Sequence, residues 1–238
     1  PSALVSLRST TAPTVSIAGL VASVSGSGSA YVASRTLSAS DELPEGRASI
    51  SITFEDTSSN AGVTVTATTD SSLVRVDLTP PTLTTVSIVS SNVNDVTRAN
   101  VGDTITISIV ASEPITAPSV MIAEQMAAVG GAVNGEAYAA EYTLVDGSSV
   151  VEGVASLSIL FADLASNAGV TRTSVTDSSA VTIDLTAPTL PLVQIASSNA
   201  ADTTRANEGD TITVTITASE PITLPAVQIA GQHAAMSG

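Results

Sequence analysis

The chain has 238 residues, of which 43% are apolar and only 2% aromatic, and it carries a formal charge of -15 without Lys or Cys. This charge disfavours binding to nucleic acid or to an anionic membrane surface, and the lack of Cys excludes a disulfide framework. No apolar run is long enough to span a bilayer, so we expect no membrane insertion. Pro1 in place of Met indicates a processed chain or a fragment. The frequent Ser, Thr and Val favour strands over helices.

Alternation of apolar and hydroxyl residues predicts a series of short strands between residues 77 and 183. Ile105, Ile107 and Ile109 alternate with Thr and Ser, which predicts one buried and one solvated face. Turn dipeptides such as Asn134-Gly135 separate the strands. In chain order the predicted strands lie at 86–88, 104–109, 120–122, 138–144, 155–161, 170–175 and 181–183. About seven short strands in a module of this length are typical of a two-sheet antiparallel sandwich.

The chain repeats itself at a constant spacing of about 107 residues. Segments 77–131 and 184–238 are identical at 36 of 55 positions, and Tyr31 and Phe54 return as Tyr138 and Phe161. The repeat predicts three modules in an elongated array. Residues 1–76 form an incomplete module that lacks its first strands, 77–183 a complete one, and 184–238 an incomplete one with first strands only.

A proline-containing segment punctuates the modules. Asp77 to Leu83 returns as Asp184 to Leu190, and each copy stands between two alternating apolar runs. Proline cannot donate to a strand ladder and restricts the backbone. We therefore predict that Pro80, Pro81 and Pro188 mark stiff linkers between modules.

Three phrases carry a resemblance to a known family. They are the Asp-Leu-Thr-x-Pro-Thr opening, the Ala-Ser-Glu-Pro-Ile phrase, and the turn from Phe161 to Gly169, in which Ser166 replaces the family's usual Gly. They resemble the bacterial immunoglobulin-like (Big-type) repeats that stand in tandem in secreted adhesins, biofilm proteins and extracellular fibrils. The resemblance implies immunoglobulin-like β-sandwich modules, an extracellular or cell-surface location, and a non-catalytic role. In that family, module junctions sometimes bind Ca²⁺ and become rigid.

The inventory of reactive side chains argues against an enzyme. His233 is the single histidine, and its counterpart one module earlier is Met126. Without Cys, Lys or a second His, the usual nucleophile–base pairs cannot be assembled. We therefore predict no catalytic and no cofactor-binding residues.

Acidic residues that return in both copies are the one chemically suggestive set. A junction aspartate together with loop carboxylates and amides can supply several of the six to eight oxygens that Ca²⁺ prefers. The alternative is that Asp and Asn at strand ends make local Asx turns. The Ca²⁺ hypothesis names Asp77, Asp163 and Asn167 first, and then Asp184, Asp56 and Asn60.

The two incomplete modules allow two explanations. The chain is either a window on a longer tandem array, in which neighbouring modules are its partners, or a subunit that polymerises head to tail by donating strands to the next copy. Both predict a structural component of an extracellular fibril. The alternative function is an adhesin stalk or an adhesion module, stiffened by Ca²⁺, that binds glycan or protein.

Overall fold

The computed structural model describes residues 11–38 and 40–236 and is all-β, with 40% of residues in strands and none in helices. The strands form several small antiparallel sheets, which confirms the predicted fold class at this level. No helix in the described ranges has the length and apolar character needed to cross a membrane. The first ten residues of the predicted first module and the last two of the third lie outside the described residues.

The chain divides into two compact units, one up to Thr182 and one from Ile183 onward. The first unit contains both the predicted first module and nearly all of the second. Residues 11–76 form β1 (Thr14–Ile17), β2 (Leu20–Val21), β3 (Ser23–Ser27), β4 (Ala30–Ser34), β5 (Gly46–Arg47), β6 (Ile50–Thr53) and β7 (Arg75–Val76). Residues 83–183 form β8 (Leu83–Ser90), β9 (Arg98–Ala99), β10 (Thr104–Ala111), β11 (Ser119–Ile122), β12 (Gln125–Met126), β13 (Ala128–Gly131), β14 (Ala137–Thr143), β15 (Gly153–Val154), β16 (Leu157–Leu160) and β17 (Thr182–Ile183). The second unit continues with β18 (Leu192–Ser197), β19 (Ile212–Thr217), β20 (Gln228–Ile229) and β21 (Gln232–His233).

The best-formed sheet runs in the order β13-β14-β10-β8, and a second sheet runs β12-β11-β16. Strand β10 lies between β8 and β14, so that Ile107 is opposite Ile88 on one side and Ala140 on the other. Because side chains alternate along a strand, the isoleucines of β10 all point to the same face. The core of residues 83–182 is built from such faces: Val86, Ile88, Ile105, Ile107, Ile109, Val120, Ile122, Leu157, Ile159 and Val181 are buried.

Residues 11–76 repeat the strand registers of the later half of this arrangement. Val15 is opposite Ile52 as Val120 is opposite Ile159, and Gly26 is opposite Tyr31 as Gly131 is opposite Tyr138. The equivalent residues of β1 and β3 are 105 positions apart, and those of β4 and β6 are 107 apart. The buried apolar side chains of this region are fewer: Val15, Ala18, Ala22 and Val76. Among the described residues, β4 pairs with β3 alone, whereas β14 pairs with both β13 and β10.

The second unit repeats the registers of the earlier half. Val193 is opposite Ile216 as Val86 is opposite Ile109, and β20 and β21 form a short hairpin like β11 and β12. In the described part of this unit, β18 and β19 form a two-stranded sheet. Half of its large apolar side chains are exposed, and in the described part of this unit none after Ile183 is buried.

One predicted strand is wrong. Residues 170–175 form no continuous strand, and Arg172 alone makes an isolated bridge to Ile159. The Arg172 guanidinium donates to the carbonyl oxygens of Ser174 (2.8 Å) and Val175 (3.0 Å), which satisfies these groups locally instead of through a ladder. The predicted complete module also contains ten strands, β8 to β17, instead of about seven, and four of them have only two residues.

Candidate metal centre

The loop from Phe161 to Gly169 is shaped by an aromatic ring that packs against a glycine. A Cβ atom added to Gly169 would overlap the Phe161 ring, so only glycine lets the chain pass this closely. The Gly169 N–H donates to the Phe161 carbonyl at 3.0 Å and closes the loop. Ser166 adopts a positive φ of 73° at the tip, where the resembling family usually has glycine.

Asp163 is the buried centre of this loop, with 1% of its surface exposed. Its Oδ1 accepts the N–H groups of Ala165 and Asn167, both at 2.8 Å, and its Oδ2 accepts the Asn167 side-chain amide, also at 2.8 Å. These hydrogen bonds are those of an Asx turn, which the sequence analysis gave as the alternative to metal binding. A buried carboxylate is tolerated here because donors surround it.

Residues 77–79 lie at the predicted junction of the first two modules and are hydrogen-bonded by residues that precede and that follow them in the chain. The Asn167 side-chain amide donates to the backbone carbonyl of Asp77 at 3.0 Å. From the other side, Glu45 Oε1 accepts the Leu78 N–H at 3.2 Å and the hydroxyl of Thr79. Residues 77–79 are therefore held by one residue that precedes the junction by more than 30 positions and one that follows it by 90.

Three carboxylates converge at this junction. One oxygen of each of Asp77, Glu113 and Asp163 lies within 4.8 Å of the other two, and this is the single such group found among the described residues. Asp163 is brought beside the chain that follows β10 by its bridge to Ile115. The donor set consists of oxygens only, which fits a hard divalent cation such as Ca²⁺. Asp77, Glu113 and Asp163 would hold that ion, and its positive charge would offset the repulsion among the three carboxylates.

The electrostatics of the group are unfavourable without a counter-charge. Partial desolvation, followed by the negative charges of Asp77, Asp163 and Glu45, raises the pKa of Glu113. A raised carboxyl pKa means that the surroundings disfavour the ionised form. Arg35, Arg98 and Arg205 pair with other aspartates, Asp41, Asp95 and Asp202.

The other sequence-predicted ligands lie elsewhere. Asp56 and Asn60 form the same Asx loop as Asp163 and Asn167, with the Asn60 amide 2.7 Å from Asp56 Oδ2, but Asp56 is exposed. The hydrogen bonds from Asn60 and Ser58 lower the pKa of Asp56. Asp184 accepts the Thr186 N–H at 3.3 Å, the same contact that Thr79 makes with Asp77. Of the linker residues, Pro81 is buried, whereas Pro80 and Pro188 are exposed.

Two residues of the site were absent from the predicted ligands. Glu113 belongs to the Ala-Ser-Glu-Pro phrase and recurs as Glu220, so the repeat marked it as a recurring acid without placing it at the junction. Glu45 recurs as Glu152 at the same repeat spacing. That recurrence is the one sequence signal that could have found it.

Comparison with known proteins adds no family. No family model matches the chain, and neither a curated protein nor a solved structure does.

Proposed function

We propose that the protein is a structural subunit or segment of an extracellular fibril, built from tandem immunoglobulin-like β-sandwich modules of about 107 residues. Strand registers that recur at the repeat spacing support the modular part of the proposal. Modules in such arrays contact mainly their neighbours, so length grows with copy number. As a subunit, the chain would complete its two incomplete modules head to tail with strands from the next copy, and as a segment it would do so with neighbouring modules of the same array.

The observation that carries the fibril proposal is the tethered junction. A fibril made of modules stays straight only if the joints between its modules resist bending. At residues 77–79, backbone groups are bonded by Glu45 from one module and by Asn167 from the next. Proline at 80 and 81 further limits the backbone torsions available there.

The second part of this proposal is that a bound cation stiffens the joint. The convergence of Asp77, Glu113 and Asp163 supports Ca²⁺ as the stiffening ion, since bringing the three carboxylates together without a cation costs electrostatic free energy. The Asx-turn bonds of Asp163 orient its carboxylate and are compatible with that role.

The joint is tested with a matched pair of variants. Asn167→Ala removes the amide that reaches the Asp77 carbonyl, whereas Asn60→Ala removes the same loop bond at a position that makes no such tie in the described structure. We expect small-angle scattering of Asn167→Ala to show a broader distribution of lengths, and electron microscopy to show more curved filaments. Asn60→Ala should match the parent protein. Equal length distributions for the two variants, or monodisperse rods that bind glycans and never form filaments, would contradict the fibril proposal.

A further inference from the structure

We propose that the groove lined by residues 66–68 and 72–74, together with the edge of β4 that has no strand partner among the described residues, is the seat for the β18–β19 hairpin of a second copy of this chain. We call the groove and this edge the acceptor seat. The inference rests on the proposed fibril and specifies its contact: which strands meet, in which register, and which hydroxyl groups hold them.

Residues 83–182 supply the template for the seat. The Val86 N–H donates to the Thr176 hydroxyl at 2.9 Å, and the Thr176 N–H donates back to the Val86 carbonyl at 2.7 Å. The Ile88 N–H donates to the Ser179 hydroxyl at 2.9 Å. Strand β8 therefore has one edge on β10 and the other on a short segment that presents hydroxyl groups. Strand β10 fills the space between β8 and β14.

The segment that lines the acceptor seat carries the same hydroxyl groups. Thr69 and Ser72 are the counterparts, one repeat earlier, of Thr176 and Ser179. A groove of about 550 Å³ is lined by Ser72 together with Thr66, Ala67, Thr68, Leu73, Val74, Ile17 and residues 47–50. Val74 is 69% exposed, although its counterpart Val181 is fully buried. The groove thus exposes a side chain that the complete repeat covers.

The donor hairpin has the complementary exposure. Val193 and Ile195 are 57% and 66% exposed, whereas their counterparts Val86 and Ile88 are 0% and 6% exposed. Within β18 and β19 the register already equals that of β8 and β10. The hairpin therefore needs no rearrangement of its own ladder to enter the seat, and edge addition supplies main-chain hydrogen bonds together with apolar burial.

The template also gives the register. Ile107 is opposite Ala140 and Ile109 is opposite Tyr138. Transferred by one repeat in each direction, this places Val214 of the donor opposite Ala33 of the acceptor, and Ile216 opposite Tyr31. On the outer face, Thr215 comes opposite Val32. A one-residue slip would turn the apolar face of β19 to solvent, so the alternation protects the register.

Only the first two strands of the donor are used. The β20–β21 hairpin repeats β1–β2, which already occupies its place beside β6 in the acceptor. The donor therefore contributes β18 and β19, and β20–β21 stays outside the seat.

The natural absence of cysteine makes the register testable by cross-linking. Val32→Cys and Thr215→Cys are made in separate chains of full length, which are mixed in denaturant, refolded together and oxidised. Opposed strand residues can form a disulfide, whereas the diagonal pair of Val32→Cys with Thr213→Cys lies too far apart. We expect the opposed heterodisulfide to exceed the diagonal one by roughly tenfold in peptide mass spectrometry. Val193→Asp with Ile195→Asp in the donor should abolish it, while Leu224→Asp, an exposed leucine outside the hairpin, should not.

The outcomes separate this inference from the fibril proposal. Filaments with a predominant diagonal link, or with neither link, overturn the seat and its register while the fibril stands. A chain carrying both Val32→Cys and Thr215→Cys that closes into a monomeric disulfide overturns the second copy as the occupant. Neither filaments nor heterodisulfide at high protein concentration overturns both proposals.

Discussion

The first two long strands of residues 83–182 and the equivalent strands of residues 183–236 have related sequences but reach different degrees of burial. Val86 and Ile109 are buried in the first region, whereas Val193 is exposed and Ile216 is half-buried in the second. The hairpin ladders are alike, because each needs only two strands that are close in the chain. Burial differs because it needs β14, β16 and the segment around Thr176, which come later in the complete repeat. The comparison shows that pairing is a local property of this sequence and that the core is not.

The largest expected effect comes from truncating the same residue in both regions. Ile109→Ala should destabilise the first unit by about 2–5 kcal/mol, because it removes a buried side chain from a packed core. Ile216→Ala should cost much less in the unassembled chain. Hydrogen exchange of peptides that cover β10 and β19 reads both sites in one sample. If β19 is bound by a second copy, assembly should enlarge the loss of stability caused by Ile216→Ala. An equal, small loss at both sites in the unassembled chain would contradict the difference in burial.

Calcium should stabilise one junction more than the other. At a Ca²⁺ concentration 100 times Kd, binding at Asp77, Glu113 and Asp163 would add about 2.7 kcal/mol to the first unit. Glu113→Gln should remove that gain, and Glu220→Gln, its counterpart after β19, should not. Thermal denaturation with Ca²⁺ and with a chelator measures the shift. The site is refuted if chelator leaves both the melting temperature and the scattering length unchanged.

The two glycine-packed loops differ in the burial of their aromatic rings. Gly169→Ala should cost about 1–3 kcal/mol, because the Phe161 ring is buried and cannot move aside for the new Cβ. Gly62→Ala meets Phe54 in the same way, but that ring is half-exposed and can rotate towards solvent. We therefore expect a clearly smaller loss for Gly62→Ala in urea denaturation. Equal losses would mean that ring burial does not decide the cost.

The acidic junction should also give a pH signature without metal. Since the folded pKa of Glu113 lies above its ordinary value of 4.5, ionised Glu113 destabilises the fold at neutral pH. In chelator, Glu113→Gln should therefore be more stable than the parent protein at pH 7. The difference should disappear as the pH falls through the folded pKa towards 4.5.

The aspartates provide an internal reference with the opposite sign. Hydrogen bonding from Asn60 lowers the pKa of Asp56, so ionised Asp56 stabilises the fold. This contribution to the unfolding free energy is present above the ordinary pKa of 3.8 and is lost only as the pH falls below that value. Denaturation midpoints measured from pH 7 to pH 4.5 therefore isolate Glu113. A constant difference between the parent and Glu113→Gln would contradict the assigned repulsion.

The smallest effect on stability is expected from the prolines. Pro80→Gly should leave the unfolding free energy of each module nearly unchanged, because Pro80 is exposed, while it widens the range of joint angles. Pro80→Ala is the matched control, since the second junction carries Ala187 at this position. Scattering profiles should broaden for the glycine variant alone. An unchanged length distribution for Pro80→Gly would remove the proline from the account of the joint.

The sequence by itself determined the all-β class, the isoleucine face of β10, the turn dipeptides, the long-period recurrence and the Asx loops at Asp56 and Asp163. Each depends on residues within a few positions or on comparison of the chain with itself. Only the tertiary structure decided that Glu113 joins Asp77 and Asp163, that Glu45 binds the junction, and that Thr176 and Ser179 close the edge of β8. These contacts join residues about 30 to 90 positions apart, and their partners are chosen by how sheets and loops pack, a choice that alternation and turn chemistry leave open.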